Sequence, residues 1–515
     1  MSPGTENIDF CVPHSLYKFI FHNPINRPYI LVSIIVIIFQ FIILKYFYPF
    51  PNFLTGDSWT YIFDAHKNAQ LSSHPIGYGI FLRMFSALTI SDTILVAFQF
   101  LLLQAAALSL NFTLYYFYSP TKIIKIFLLI AVFFNPLFFD IANTISSDNI
   151  YLSLSLIWFT LLLWIIYQPT ANVIYWHSVV LFLAFVVRFN AMFFPFVSIW
   201  AFYVSKASIK LKIRGLVLSL LLISIFVVYN REKYYELSGV RELAPFSGWQ
   251  MASNGLFAYK HVSANLRKDV PLKFNNLDKQ VRLYLDNSFK SPDYAEPRVI
   301  LDRFMWSQDS PLWVYYWQNF ADKDDINNPN VWGKQPFRIK NWAKVAPLYK
   351  EYGAWLILHY PKEFFQYVIL LNVKSWFIPP MVQLQYYNCG YTDIAENIVD
   401  WFKYKTHKIS TRFTNIGTID EIYGLYPLFT GYINAVFLIL FALFIRRIKN
   451  DMYFIYNGLI LVAVFWLINF SFNVFASPIE LRYVLFPIHI ITVNSIIMVG
   501  RLSDVFSNGQ PKNIQ

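Results

Sequence analysis

Charge and cysteine are both scarce in this chain of 515 residues. Only 14% of the residues are charged and two are cysteines. Soluble chains carry about 25% charged residues, so a wholly soluble globular protein is excluded. Cys11 and Cys389 lie too far apart in sequence to form a motif. Two thiols build neither a disulfide framework nor a zinc site. The first apolar run lacks a small-residue cleavage site and is too long for a signal h-region. It reads as a retained span. No internal repeat relates the two halves.

What the chain has instead is apolar surface. It is 56% hydrophobic and 20% aromatic, and apolar runs of about 15 to 25 residues recur, the length a bilayer requires. Ten spans are expected: Ile30–Tyr48, Ile94–Tyr118, Ile123–Phe139, Ile150–Tyr167, Val173–Val187, Ala191–Val204, Leu216–Tyr229, Leu428–Ile445, Met452–Phe470 and Leu481–Val499. The fifth, sixth and seventh are short for a crossing. Basic residues stay cytoplasmic in short loops. Lys122 and Lys125, then Lys206, Lys210, Lys212 and Arg214, then Arg446, Arg447 and Lys449 fall on one side if the amino terminus is inside. Both termini are then cytoplasmic. The net charge of +12 suits anionic lipid or phosphate.

Three segments face the other side: Phe50 to Asp92, Asp140 to Asn149, and about 230–426. The last is long enough to be expected to hold its own structure. Its apolar stretch Phe364 to Pro379 carries Lys374 and reads as helix at the outer surface, not as a span. The expected architecture is an all-α polytopic membrane protein of about ten transmembrane helices. Amphipathic surface helices and a mainly helical extracytoplasmic loop domain complete it. The division is 1–229 (seven spans), 230–426 (loop domain) and 427–515 (three spans and a cytoplasmic tail).

Gly56-Asp57-Ser58-Trp59 follows the first span, placing a carboxylate where lipid meets water. Asp57, Tyr61 and Asp64 share one helical face at i, i+4, i+7. Ser72-Ser73-His74-Pro75 reads as a second helix start, with Pro75 at the first helical position and His74 or Ser73 as cap. Taken alone, Asp57 is as well explained as a helix cap.

Together these motifs resemble the GT-C superfamily, polytopic glycosyltransferases that use lipid-linked sugar donors and include protein mannosyltransferases and aminoarabinose transferases. Ser147-Asp148 resembles that family's second outer-loop Asp. Arg188-Phe189-Asn190 resembles its Arg-Pro-Asn segment, with Phe in place of Pro. His359-Tyr360-Pro361-Lys362-Glu363-Phe364 and Glu480-Leu481-Arg482-Tyr483 resemble its later motifs, in family order over about residues 30–500. The paired Asp-x-Glu of some branches is missing. So is the Trp-Trp-Asp motif of oligosaccharyltransferases, and no metal or other cofactor is carried over.

The resemblance implies inverting transfer of one sugar from a polyprenyl phosphate to a lipid, glycan or protein acceptor. Transfer would occur on the non-cytoplasmic face of a bacterial inner membrane, with Asp57 as general base. Asp64, His74 and Asp148 are open alternatives for a second acid or acceptor contact. Arg188, Arg482 and Arg83 are candidates for the donor phosphate, with Lys374 in reserve. An arginine in a membrane segment costs about 2.5–3.5 kcal/mol and commonly faces a cavity or partner. Tyr78, Trp249 and Trp376 are candidates for stacking on sugar or prenyl groups. No nucleic-acid partner is expected. The competing classes are a transporter or flippase of lipid-linked glycans and an O-antigen polymerase or ligase. The missing repeat argues against the former and the first-loop Asp against the latter.

Overall fold

The computed structural model describes residues 16–288, 297–321, 339–413, 423–447, 453–476 and 478–508. Cys11, Lys449 and Met452 lie outside them. The chain is an all-α integral membrane protein. Among the described residues, eight helices are long and apolar enough to cross a bilayer: Pro24–Phe47, Asp92–Tyr118, Lys122–Asn143, Ser147–Tyr167, Ile209–Ser238, Tyr426–Arg446, Ile455–Ala476 and Leu481–Ser503. Two shorter apolar helices, Ala171–Val187 and Phe189–Val204, stand between the fourth and fifth. Each of the ten expected spans overlaps one of these. The seventh, expected over Leu216–Tyr229, is a 30-residue helix, so the expected boundary at 229/230 falls inside a continuous element.

The elements used below, in chain order, are α1 (Leu16–His22), α2 (Arg27–Phe47), α3 (Asp57–Lys67), α4 (Gly77–Ser86), α5 (Asp92–Tyr118), α6 (Lys122–Phe133), α7 (Pro136–Asn143), α8 (Ser147–Tyr167), α9 (Ala171–Val187), α10 (Phe194–Val204), α11 (Ile209–Ser238) and α12 (Phe246–Tyr259). They continue with α13 (Asn275–Ser288), α14 (Pro297–Trp306), α15 (Pro311–Asn319), α16 (Ile339–His359), α17 (Leu370–Phe377), α18 (Glu396–Phe402), α19 (Tyr426–Arg447), α20 (Tyr453–Ala476) and α21 (Leu481–Asn508). Polar caps start several of them. Ser91 accepts from Ile94 N before α5, and Thr170 accepts from Val173 N before α9. Such caps satisfy amides that have no partner inside the helix.

The stretch 364–379 is helical through Phe377. It is a π-helical turn, Phe364–Ile369, followed by the eight-residue α17. Among the described residues there is no strand, only two isolated bridges. One of them, Asn52 with Thr144, fixes the loop between α2 and α3. Asn52 N donates to Asn143 O at 2.8 Å and Ile145 N donates to Asn52 O at 3.0 Å. The loop is thereby tied to the entrance of α8. Beneath it, Phe53, Tyr61, Ile62, Tyr78 and Leu82 form a small core with Ile398, Trp401 and Phe402 from α18.

The segment between α11 and α19 builds its own packing. α12 and α16 lie in close contact, because Gly248 faces Ala346 O where a Cβ would sit 2.1 Å away. Trp249 is fully buried there, donating to Trp342 O at 3.2 Å. Trp376 is buried against Trp466 and Phe470. Tyr78 is buried as well and donates to Gln99 Oε1 at 2.7 Å. All three aromatics considered for ligand stacking are therefore committed to the core.

Candidate active site

α3 begins at Asp57, and Gly56 precedes it with φ 85°. That angle is open to glycine and strained for other residues. Asp57 does not cap the helix, since no side-chain cap hydrogen bond is formed there. Its two oxygens point elsewhere. Oδ2 accepts from Arg482 Nη1 at 2.6 Å, and Oδ1 lies 3.3 Å from His74 Nε2. The helix is held in place through Ser58, whose hydroxyl donates to Ile145 O at 2.7 Å.

α4 starts later than its sequence suggests. Its first residue is Gly77, with Ile76 before it and no side-chain cap. A Cβ on Gly77 would lie 2.6 Å from Val186 O, so the glycine lets α4 enter against the end of α9. His74 and Ser73 are therefore not caps of α4. His74 instead takes up Asp57 on one side, while its Nδ1 sits 3.1 Å from Ser73 Oγ. The Tyr61 ring packs on the imidazole at 5.0 Å.

Asp148 lies in the first turn of α8, where an acid is favoured by the helix dipole. Ser146 Oγ donates to its Oδ2 at 2.9 Å. Arg188 Nη1 pairs with its Oδ1, and Arg482 Nη1 reaches its Oδ2 at 3.4 Å. Arg188 sits in extended backbone between α9 and the 3-10 turn that precedes α10. Its guanidinium lies 4.9 Å from the Tyr483 ring centre and 5.7 Å from that of Tyr151, within cation–π range. Arg482 opens α21, whose first amide, Leu481 N, donates to Pro380 O at 3.0 Å. Its Nε donates to Glu480 Oε2 at 2.9 Å and its Nη2 to Tyr483 Oη at 2.7 Å.

Four distant stretches thus meet in one ionic cluster: the segment between α2 and α4, the start of α8, the junction of α9 and α10, and the start of α21. Its members are Asp57, His74, Asp148, Arg188, Glu480 and Arg482. Burial alone would raise the Asp57 carboxyl. The Arg482 charge outweighs it, with the hydrogen bond and charge of His74 and the hydrogen bond from Arg482. The result lies well below the usual carboxylate range. Tyr61, by contrast, is pushed above its usual value, first by burial and then by the Asp57 charge. It stays a neutral donor, to Ser147 Oγ at 2.9 Å.

The remaining candidates fall outside this cluster. Asp64 shares the face of Asp57 but lies behind His74, 5% exposed. Burial pushes its carboxyl up to about 7, against a smaller downward pull from a Ser72 hydrogen bond and the His74 charge. Arg83 is exposed on the last turn of α4, and among the described residues it forms no ion pair. Lys374 is likewise exposed. His359 ends α16, stacked on Trp355 at 4.1 Å. Tyr483 and Tyr151 had no role assigned from sequence. Tyr483 follows Arg482 directly, which is the one signal that could have drawn attention to it. Among the described residues no group of three or more His, Cys, Asp or Glu side chains could hold a metal ion.

No family model, curated protein or solved structure matches this chain.

Proposed function

We propose that this integral membrane protein is a glycosyltransferase that moves one sugar, with inversion, from a polyprenyl-phosphate donor to an acceptor hydroxyl. The observation that carries the reading is the convergence of Asp57, Asp148, Arg188 and Arg482 on one cluster. Each lies in a segment that resembles a GT-C motif, and the segments are otherwise far apart in the chain.

In this reaction the bond from sugar C1 to the phosphate oxygen breaks, and its electron pair leaves with the phosphate. The acceptor oxygen forms the new bond to C1 from the opposite face and gives its proton to Asp57. A carboxylate held this far below its usual range is a weak base. It takes the proton late, when the attacking hydroxyl is already acidic. Arg188 and Arg482 supply positive charge where the phosphate develops negative charge. Positioning of donor and acceptor supplies the rest.

The proposed topology has ten crossings, the eight long helices and the two short ones that flank Arg188. Both termini are cytoplasmic, and the cluster faces the outside of a bacterial inner membrane. The segment between α11 and α19 then stands over the outer face as a loop domain and meets the acceptor, a lipid, glycan or protein. The test uses the full-length protein in nanodiscs, incubated with lipid extract from cells lacking it. Release of free polyprenyl phosphate, with loss of one lipid-linked sugar, is expected. An unchanged lipid profile with an active acceptor extract present would refute the reading.

A further inference from the structure

Every nitrogen of Arg482 has a protein partner before any phosphate arrives. Its three nitrogens are taken by Asp57, Asp148, Glu480 and the Tyr483 hydroxyl. Arg188 is paired with Asp148. Among the described residues the cluster sets three carboxylates against two guanidiniums, with the His74 imidazole beside Asp57. As it stands the cluster has no surplus positive charge. A phosphate added to it unchanged would meet net repulsion.

The three carboxylates are not equally placed to yield. Asp148 is 4% exposed and Glu480 10%, whereas Asp57 is 20% exposed. Asp57 also stands on a short surface helix and already has a second partner in His74 Nε2 at 3.3 Å. Moving away from Arg482 leaves it hydrogen-bonded. Asp148 is clamped by Ser146 and Arg188 at the buried start of α8, and Glu480 is tied two residues from the arginine it holds.

Resting on the reading that a donor phosphate binds here, we propose that the Asp57–Arg482 ion pair is a latch that a phosphate anion opens. The anion takes the place of the Asp57 carboxylate on Arg482, with Arg188 beside it. Asp57 then turns to His74 and to the acceptor hydroxyl. Freed from the guanidinium, it becomes a better proton acceptor. Binding is therefore ordered, with donor first and acceptor second. Opening of the latch is a competition between two anions for one cation, and removing the internal anion must tighten binding of the external one.

The experiment measures binding of farnesyl phosphate, a short prenyl phosphate, to the full-length protein in detergent. Wild type is compared with Asp57→Asn, Asp57→Ser and Asp57→Glu, each checked for a monodisperse elution profile. The two neutral variants are expected to bind about tenfold more tightly than wild type, the equivalent of about 1.4 kcal/mol. Asp57→Glu, which keeps the charge, is expected to stay near wild type. Inorganic phosphate should show the same order, more weakly, if the head group alone opens the latch. Equal binding by wild type and both neutral variants would overturn the latch and leave the donor-phosphate reading standing. No binding by any of the four proteins would overturn both.

Discussion

Arg482 Nη1 and Asp57 Oδ2 are 2.6 Å apart although 425 positions of chain separate them. This one bond joins the start of α21 to the start of α3 and so closes the candidate site. It also leaves Arg482 as the cation shared by Asp57, Asp148 and Glu480.

Replacing Arg482 by Ala would take from those three carboxylates the one cation they share. Breaking a buried ion pair by removing one partner costs about 3–5 kcal/mol. Arg482→Ala should therefore lower the melting temperature in detergent as well as abolish transfer. Arg482→Lys should recover part of the stability, since the charge returns, but not transfer, since a compact ammonium lacks the planar fork that reaches partners on several sides. Thermal unfolding followed by intrinsic tryptophan fluorescence checks both. Wild-type stability in the Ala variant would mean that the cluster is not held together by Arg482.

Arg188 and Arg83 should part company. Arg188 lies in the cluster, whereas Arg83 is exposed on α4. Arg188→Ala should weaken prenyl-phosphate binding about tenfold, as loss of a charged hydrogen bond does. Arg83→Ala should leave it unchanged. Titration of both variants with the same prenyl phosphate decides. A loss confined to Arg83→Ala would move the phosphate site onto α4.

Asp64 gives a pH dependence with a definite sign. Its folded carboxyl is raised to about 7 by burial, and an unfolded Asp titrates near 3.9. The protonated form is thus the one the fold favours. Its contribution is full below about pH 4 and is lost as pH rises through about 7. The loss is on the order of 4 kcal/mol, at about 1.36 kcal/mol per unit. Asp64→Asn should remove it, raising the melting temperature relative to wild type at pH 8 and by clearly less, roughly a third as much in free energy, at pH 5. Melts at the two pH values test this, and equal effects at both would show that Asp64 is ionised in the folded protein.

Much of the site could be read from sequence because its members are rare charges in an apolar chain. Asp57, His74, Asp148, Arg188 and Arg482 stand out against long lipophilic runs, and their order along the chain suggested one constellation. Which of them touch could not be read. The Asp57–Arg482 contact depends on the bridge of Asn52 with Thr144 and on the bond from Leu481 N to Pro380 O, both backbone contacts between remote segments. Nothing in local composition announces them. The position of Arg83 outside the cluster could not be read either. α4 lays Tyr78, Gly79 and Leu82 inward, and Gly79 faces Asp64, which leaves Arg83 outside. The start of α4 was read two residues early because Pro75 fits a first helical turn. The close approach of Gly77 to Val186 sets the actual start. Trp249 and Trp376 could not be told from ligand-stacking aromatics, since 20% of the chain is aromatic and core and site use the same residues.

The central claim is that Asp57 performs proton transfer in sugar transfer from a polyprenyl phosphate. The most direct test is mass spectrometry of lipid-linked sugars in cells lacking the protein, complemented with wild type or with Asp57→Asn at matched membrane levels. The account predicts that wild type clears an accumulated polyprenyl-phosphate sugar. Asp57→Asn should leave it in place, with turnover down by about two to four orders of magnitude. Clearance by Asp57→Asn at the wild-type rate would contradict it.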